Sequence, residues 1–286
     1  MALRSESPLA FRTLHAGALV EVRDYRCAAR RGGPMGEEHS ATGALVFLRR
    51  GAFCQHFGRR SVTADPNQIV FFSPGSSYRV SHPADCGDRG TVLAPAPRVL
   101  EEIARELEPE RREQAPFPFV TAPCAPDLDR RQRELVRRLE SGAYDALWAE
   151  ETALALVGDA LAAGYARDAR PRPRRRAGTE ADHAERAEAA KAYLARHLGE
   201  RVRLDDVARS VHASPFHLAR LFQRHTGVPV HRYLQRLRLR TALERLADGA
   251  DDLTALALAL GFASHSHFTF AFRAEFGRTP SAVRAR

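Results

Sequence analysis

Long apolar runs are missing from this sequence. No stretch of about 18 apolar residues exists, so no membrane-spanning helix is expected, and the N-terminus lacks the basic start and apolar core of a secretory signal. A cytoplasmic protein without membrane contact is the expectation. Cysteine is scarce as well: Cys27, Cys54, Cys86 and Cys124 are the four in 286 residues, and no two form a C-x-x-C pair. Neither a zinc ribbon nor a disulfide framework is suggested. Acidic residues are short in one half only. Residues 170–286 carry 22 Arg and Lys against 12 Asp and Glu, so the net charge of +9 belongs to that half and the first 169 residues stand near −1. Arginine richness alone would not produce this asymmetry, whereas a polyanion-binding domain requires it. The length suggests two domains and a sizeable core.

What the basic half does contain is a repeat. Ser264, His267, Phe268, Phe272 and Gly277 stand fifty positions after Ser214, His217, Leu218, Phe222 and Gly227. Each run opens on a serine suited to cap a helix, places apolar side chains at i and i+4, and closes on a glycine followed within three residues by Pro229 or Pro280. A shorter helical pattern precedes each copy, at Leu204, Val207, Ala208 and Val211, then at Leu253, Leu256, Ala257 and Leu260. The joins, His212-Ala213 and Gly261-Phe262-Ala263, leave room only for a tight turn. Two helices joined in this way form a helix-turn-helix, whose second helix enters a DNA major groove. Solenoids also repeat at such periods, but they need about three units or more to bury a core. Two units favour a paired reader.

Four segments carry a resemblance: Ser-Pro-Phe-His-Leu-Ala-Arg-Leu-Phe at 214–222, Tyr-Leu-Gln-Arg-Leu-Arg-Leu at 233–239, Gly-Phe-Ala-Ser-His-Ser-His-Phe at 261–268 and Phe-Gly-Arg-Thr-Pro at 276–280. In their order and spacing, the stretch from about 184 to 286 resembles the DNA-binding domain of the AraC/XylS family of bacterial transcription regulators. It covers little more than a third of the chain. The resemblance implies a sequence-specific regulator, not an enzyme, that binds double-stranded promoter or operator DNA as a homodimer. It further implies a small-molecule effector, RNA polymerase as a partner if the protein activates, and no cofactor.

The N-terminal half is β-like. Short strands are expected at 18–27, 44–50, 53–57, 68–72 and 78–80, separated by Gly-Gly-Pro at 32–34, Asp-Pro-Asn at 65–67 and Pro-Gly-Ser at 74–76. Such spacing suits an antiparallel sandwich or barrel. In the family that region is commonly a cupin-like barrel holding the effector. The expected fold class is therefore α+β with two domains: an N-terminal antiparallel β-barrel with a helical pair, then an all-α double helix-turn-helix. Metal-binding cupins place a histidine three residues after the Pro-Gly glycine, where this chain has Tyr78. They also use an H-x-H pair, which His56 lacks. No metal and no dioxygenase chemistry are expected. His39, Phe47, Cys54, His56, Phe72, Tyr78 and His82 are the candidates for an effector pocket, with plain core or surface positions as the alternative for each. Strand alternation sets Phe53 and Gln55 opposite Cys54 and His56 without deciding which pair faces inward. Cys54, His56, His82 and Cys86 could instead form a thiol or metal switch.

A helix at 98–107 and an irregular Pro-rich connector at 109–126 lead to the helical pair at about 127–166. That pair resembles the family's dimerisation element; the alternative is that it covers the barrel's open face. Domain boundaries fall at 1–167, a linker at 168–178 and 179–286. The linker's alternating arginine and proline favour extended, solvated chain. Helices at 181–198 and 229–247 scaffold the two units, and the second, about 28 Å long, could hold two recognition helices about one DNA turn apart. In the first recognition helix Leu218, Leu221 and Phe222 turn inward and Phe216, Ala219, Arg220 and Gln223 face the bases. A guanidinium at Arg220 can pair with guanine O6 and N7, worth about 1–3 kcal/mol of discrimination; a phosphate contact or a solvated arginine is the alternative. In the second, Phe268, Ala271 and Phe272 turn inward and His265, Ser266, Thr269 and Phe270 face out, with Phe270 where the family commonly has arginine. Ser214, His217, Arg238, Arg240, His267 and Arg273 are the phosphate candidates. Two other readings remain open: a non-specific architectural DNA-binding protein, and a cupin enzyme with a DNA-binding tail.

Overall fold

The computed structural model describes residues 9–108, 117–142, 144–168 and 177–284. Its N-terminal part holds β1 (Leu9–Ala16), β2 (Val20–Cys27), β3 (Glu37–His39), β4 (Ala44–Arg50), β5 (Phe53–Phe57), β6 (Arg60–Ala64), β7 (Gln68–Phe72), β8 (Ser77–Ser81), β9 (Asp88–Pro95), α1 (Pro97–Leu107), β10 (Thr121–Pro123), α2 (Pro126–Ser141) and α3 (Ala146–Asp168). The strands form two antiparallel sheets, ordered β1-β2-β9-β4-β7-β10 and β3-β8-β5-β6.

Both sheets are open, which corrects the expected closed barrel. Residues alternate along β4 and β7, so each strand has two faces to bury. Tyr25, Val46, Leu48, Val70 and Val92 meet Phe53 and Ala64 of the smaller sheet. Val22, Leu45, Phe47, Ile69, Phe71 and Leu93 point the other way, onto α2, α3 and Leu100 of α1. The larger sheet is thus covered on both sides, and this is why Ala44–Leu48 is continuously apolar instead of alternating. Leu128, Leu135 and Leu139 of α2 and Ala149, Ala153, Leu156 and Leu161 of α3 lie in that helical layer, so the helical pair covers a sheet face. Part of the Pro-rich connector, residues 109–116, lies outside the described residues. Another part is ordered as β10, pairing with β7 at the sheet edge through Thr121, Ala122 and Pro123, where proline is tolerated.

The C-terminal part holds α4 (Ala177–Arg196), α5 (Leu204–Ser210), α6 (Pro215–Thr226), α7 (Val230–Ala247), α8 (Leu253–Ala259), α9 (His265–Phe276) and α10 (Pro280–Arg284). Two small cores form. One gathers Ala187, Leu194, Val207, Leu218, Phe222 and Tyr233; the other gathers Leu239, Leu246, Leu256, Phe262, Phe268 and Phe272. Because α7 contributes its first half to one and its second half to the other, it is the spine of the paired unit. Of the expected linker, residues 169–176 lie outside the described residues. No helix among the described residues is long and apolar enough to cross a membrane.

The two parts are joined by polar contacts, most of them buried. Lys191, the sole lysine of the chain, is buried on α4 and donates to the Thr63 carbonyl, to Gln68 Oε1 at 2.8 Å and to Glu188 Oε2 at 2.7 Å. Thr63 returns two bonds to Glu188: its N–H donates to Oε2 at 2.6 Å and its hydroxyl to the main-chain carbonyl at 2.9 Å. From α7, the Tyr233 hydroxyl donates to Asp65 at 2.5 Å and Arg240 donates to the carbonyls of Pro66 and Cys124. Glu244 lies against Arg133 at 2.8 Å, Arg89 at 3.3 Å and Arg49 at 3.5 Å.

Candidate nucleic-acid interface

The helices α6 and α9, expected to be the recognition helices, are built alike. Ser214 and Ser264, in extended backbone, accept from the N–H of His217 at 3.2 Å and His267 at 3.1 Å. These are N-caps that satisfy an otherwise orphan donor. Gly227 and Gly277 end the helices at φ 81° and 73°, the left-handed geometry that a side chain resists. The inward residues are those expected from spacing: Leu218, Leu221 and Phe222 in α6, and Phe268, Ala271 and Phe272 in α9, are all buried.

Outward, α6 presents Phe216, 73% exposed, together with exposed Arg220 and Gln223, while Ala219 is half-buried. The Arg220 guanidinium sits 5.6 Å over the Phe216 ring, a cation–π contact that holds it over the outer face. The equivalent position in α9 is Phe270, 77% exposed. Ser266, His267 and Arg273 are exposed; His265 and Thr269 are half-buried and lie 3.5 Å apart. His217 and His267 pack edge-on against His183 and Phe262.

Two phosphate candidates are placed otherwise than expected. Arg240 is buried in the junction with the sheets. Arg238 is bound by three carbonyls, of Leu198 at 2.8 Å, Gly261 at 2.9 Å and Glu200 at 2.6 Å. Both guanidiniums are engaged within the protein and neither is presented to a phosphate. Arg238 joins α7 to the segments at Leu198–Glu200 and Gly261, and Arg240 joins it to Pro66 and Cys124. The pair Arg232 and Arg236 on α7 was not singled out from sequence, yet it grips Glu275 of α9 at 3.0 and 3.2 Å and ties α9 to α7. An i,i+4 arginine pair opposite a lone glutamate in a basic stretch was the available signal.

The pocket and switch candidates are scattered. Phe47 lies in the helical core; Phe72 and Tyr78 stack at 5.2 Å; the His39 ring accepts or donates at Ser77, 2.8 Å away. Phe53 and Gln55 are the inward pair, and Cys54 meets Thr63 at 3.5 Å while His56 meets Ser81 at 2.7 Å. Burial pushes the Cys54 and Cys86 thiols up and the Cys124 thiol up to about 11, so these sulfurs are held as poorly reactive thiols. His82 is drawn to neither Cys54 nor Cys86. Its Nε2 faces Asp88 Oδ2 at 2.9 Å and Cys27 Sγ at 3.5 Å, and bonding to Asp88 and then Cys27 raises its pKa to about 9. Space between the two parts is larger: a cleft of about 760 Å³ is lined by Val62, Phe119, Arg167, Glu188, Leu221 and Arg224 among others.

A helix-turn-helix domain family matches residues 207–286. The regulatory protein PocR of Salmonella typhimurium is 32% identical over 102 residues, which are 36% of this chain and 34% of PocR. The HTH-type transcriptional activator RhaS of Escherichia fergusonii is 39% identical over 93 residues, 32% of this chain and 34% of RhaS. The chain spans about a third of the length of the curated relatives it matches. Among solved structures, a transcriptional regulator with an AraC-type DNA-binding domain from Chromobacterium violaceum is 30% identical, aligning 38% of this chain with 95% of that one at a TM-score of 0.34.

Proposed function

We propose, from the premise that the C-terminal region of this chain is a helix-turn-helix domain of the AraC/XylS family, that the protein is a sequence-specific DNA-binding transcription regulator. The observation that carries the reading is the matched pair of capped helices α6 and α9, set on one spine with Arg220 and Phe270 outward at equivalent places. Arg220 reads guanine by two hydrogen bonds. Phe216 and Phe270 cannot donate and so meet thymine methyl groups or the shape of the groove. Exposed His267, Arg273 and the capped helix starts at Ser214 and Ser264 supply backbone contacts.

Regulation follows from how the two parts are joined. A small organic effector in the cleft beside Val62, Phe119 and Leu221 would touch both, so its affinity would depend on whether they are docked. The packed space between the two sheets makes the cleft the better site than the expected barrel interior. The protein works in the cytosol as a homodimer, which tethers two readers to one site, and it meets RNA polymerase where it activates.

A DNase footprint of the full chain on its own upstream DNA, with unrelated competitor at two salt concentrations, tests the reading. The expected result is discrete protection of about 20 base pairs per subunit, spanning two major grooves, that survives competitor and weakens with Arg220→Ala. Diffuse protection that salt removes uniformly would mean backbone binding alone and would overturn sequence-specific regulation in favour of an architectural role.

A further inference from the structure

We propose that Cys27, His82 and Asp88 form a binding site for a divalent transition-metal cation, zinc before others. None of the three is close in sequence to both others. Cys27 ends β2 and faces Asp88, the first residue of β9, directly across the ladder. His82 follows β8 in the other sheet, and its backbone is held by a bridge to Gly32. One ligand atom from each lies within 4.8 Å of the others, and all three side chains are buried.

Without a cation, the carboxylate and the thiol both rely on one ring nitrogen. Asp88 Oδ2 is buried, and it lies 2.9 Å from His82 Nε2. The same nitrogen faces Cys27 Sγ at 3.5 Å, so a single N–H is aimed at by two acceptors. This is not a nucleophilic relay, in which thiol and carboxylate would engage opposite nitrogens of the ring. A cation centred among the three atoms meets all of them at once. With Zn–S near about 2.3 Å and Zn–N near about 2.0 Å, tetrahedral donors stand about 3.3–3.6 Å apart. The sulfur-to-nitrogen distance already fits, and the nitrogen-to-oxygen distance must open by about 0.4 Å.

Charge and softness select the metal. Zn²⁺ with one thiolate, one carboxylate and one neutral imidazole is a neutral group, which can be buried without an uncompensated charge. Binding releases the thiol proton and any proton on the imidazole to solvent. Calcium and magnesium prefer all-oxygen sites, whereas sulfur and nitrogen donors favour zinc. Three protein ligands leave a fourth position for water. Because β2 and β9 belong to one sheet and His82 extends the other, the bound ion would tie the sheets together at one corner. The site is distinct from the Cys54, His56, His82 and Cys86 grouping considered from sequence, with which it shares only His82.

The test uses reduced, chelator-treated full-length protein titrated with ZnCl₂ by calorimetry and with Co²⁺ by absorbance. Expected are about one equivalent of Zn²⁺ per chain, a thiolate-to-cobalt charge-transfer band with tetrahedral d–d bands, and a zinc-dependent rise in Tm. Cys27→Ser and Asp88→Asn are each expected to lower affinity about tenfold or more and to remove the Tm rise. The triple variant Cys54→Ser, Cys86→Ser, Cys124→Ser, which leaves Cys27 as the one thiol, is expected to keep the charge-transfer band. Binding below about a tenth of an equivalent, a cobalt spectrum without that band in the triple variant, or wild-type affinity in Cys27→Ser would each overturn the proposal. If Cys27→Ser fails to fold, the band in the triple variant decides.

Discussion

At the scale of single residues, the most informative side chain is the one lysine among 44 basic residues. A compact ammonium with three donors matches the three acceptors around Lys191, and a planar guanidinium cannot replace it there. Lys191→Met would leave the Glu188 carboxylate with only the His225 ring and the Thr63 N–H, each at 2.6 Å. Breaking a buried pair from one side costs about 3–5 kcal/mol, and Lys191→Arg is expected to restore little of that; urea unfolding of the three proteins measures it. Nothing in the sequence separates this buried lysine from a surface one. The same blindness affects Arg238 and Arg240. In a basic domain every arginine resembles a phosphate contact, and only packing reveals which guanidiniums are taken by carbonyls. Arg220 differs because the α6 spacing itself turns it outward. Arg220→Ala is expected to cost about 1–3 kcal/mol at the preferred operator and far less on unrelated DNA, so the ratio of the two affinities should fall in a competition assay.

Among elements, those with local signals were legible. The caps, apolar spacing and stop glycines of α6 and α9 lie within a dozen residues, and the structure bears out both helices and both caps. Ser214→Ala and Ser264→Ala are each expected to cost about 1 kcal/mol. Gly277→Ala must place a methyl-bearing residue at φ 73°, costing about 1–2 kcal/mol. Calorimetry on each variant checks these losses, and equal costs at Ser214 and Ser264 would mark the two units as energetically equivalent. Strands were legible where apolar residues run between turn signals, as in β4 and β7, although β9, buried between β2 and β4, was not expected. Polar or edge strands such as β3, β6 and β10 were missed because hydrogen bonding to a neighbour, not composition, makes them strands. Whether sheets close is less local still. It depends on β10 and β9 joining β7, β4 and β2 in one layer, a pairing that no short window of sequence contains.

For the whole molecule, the junction between sheets and helices makes stability depend on pH in a direction that can be worked out. Burial alone would raise the pKa of Glu188, but Lys191 and His225 outweigh it and hold the carboxyl at about 2, below its ordinary 4.5. A group depressed on folding contributes its stability fully above the unfolded value and loses it as pH falls through the folded one. Glu188 should therefore support docking of β6 on α4 undiminished above about pH 5 and progressively less down to about pH 2. Asp65, in the same junction, acts oppositely. Burial raises its pKa despite Lys191 and the Tyr233 hydroxyl, so its protonation on acidification relieves a cost instead of adding one. The two can be separated by variants. The stability difference between wild type and Glu188→Gln, followed by denaturant unfolding, is expected to be constant above about pH 5 and to shrink as the medium is acidified toward pH 2. For Asp65→Asn the variant is expected to gain on wild type as pH rises through the raised Asp65 value. A wild-type to Glu188→Gln difference that stays constant down to pH 2 would mean that Glu188 is not ionised by its partners in the junction. The domains would then be held by Arg240 and the Glu244 cluster, without a contribution from the Lys191 and Glu188 pair.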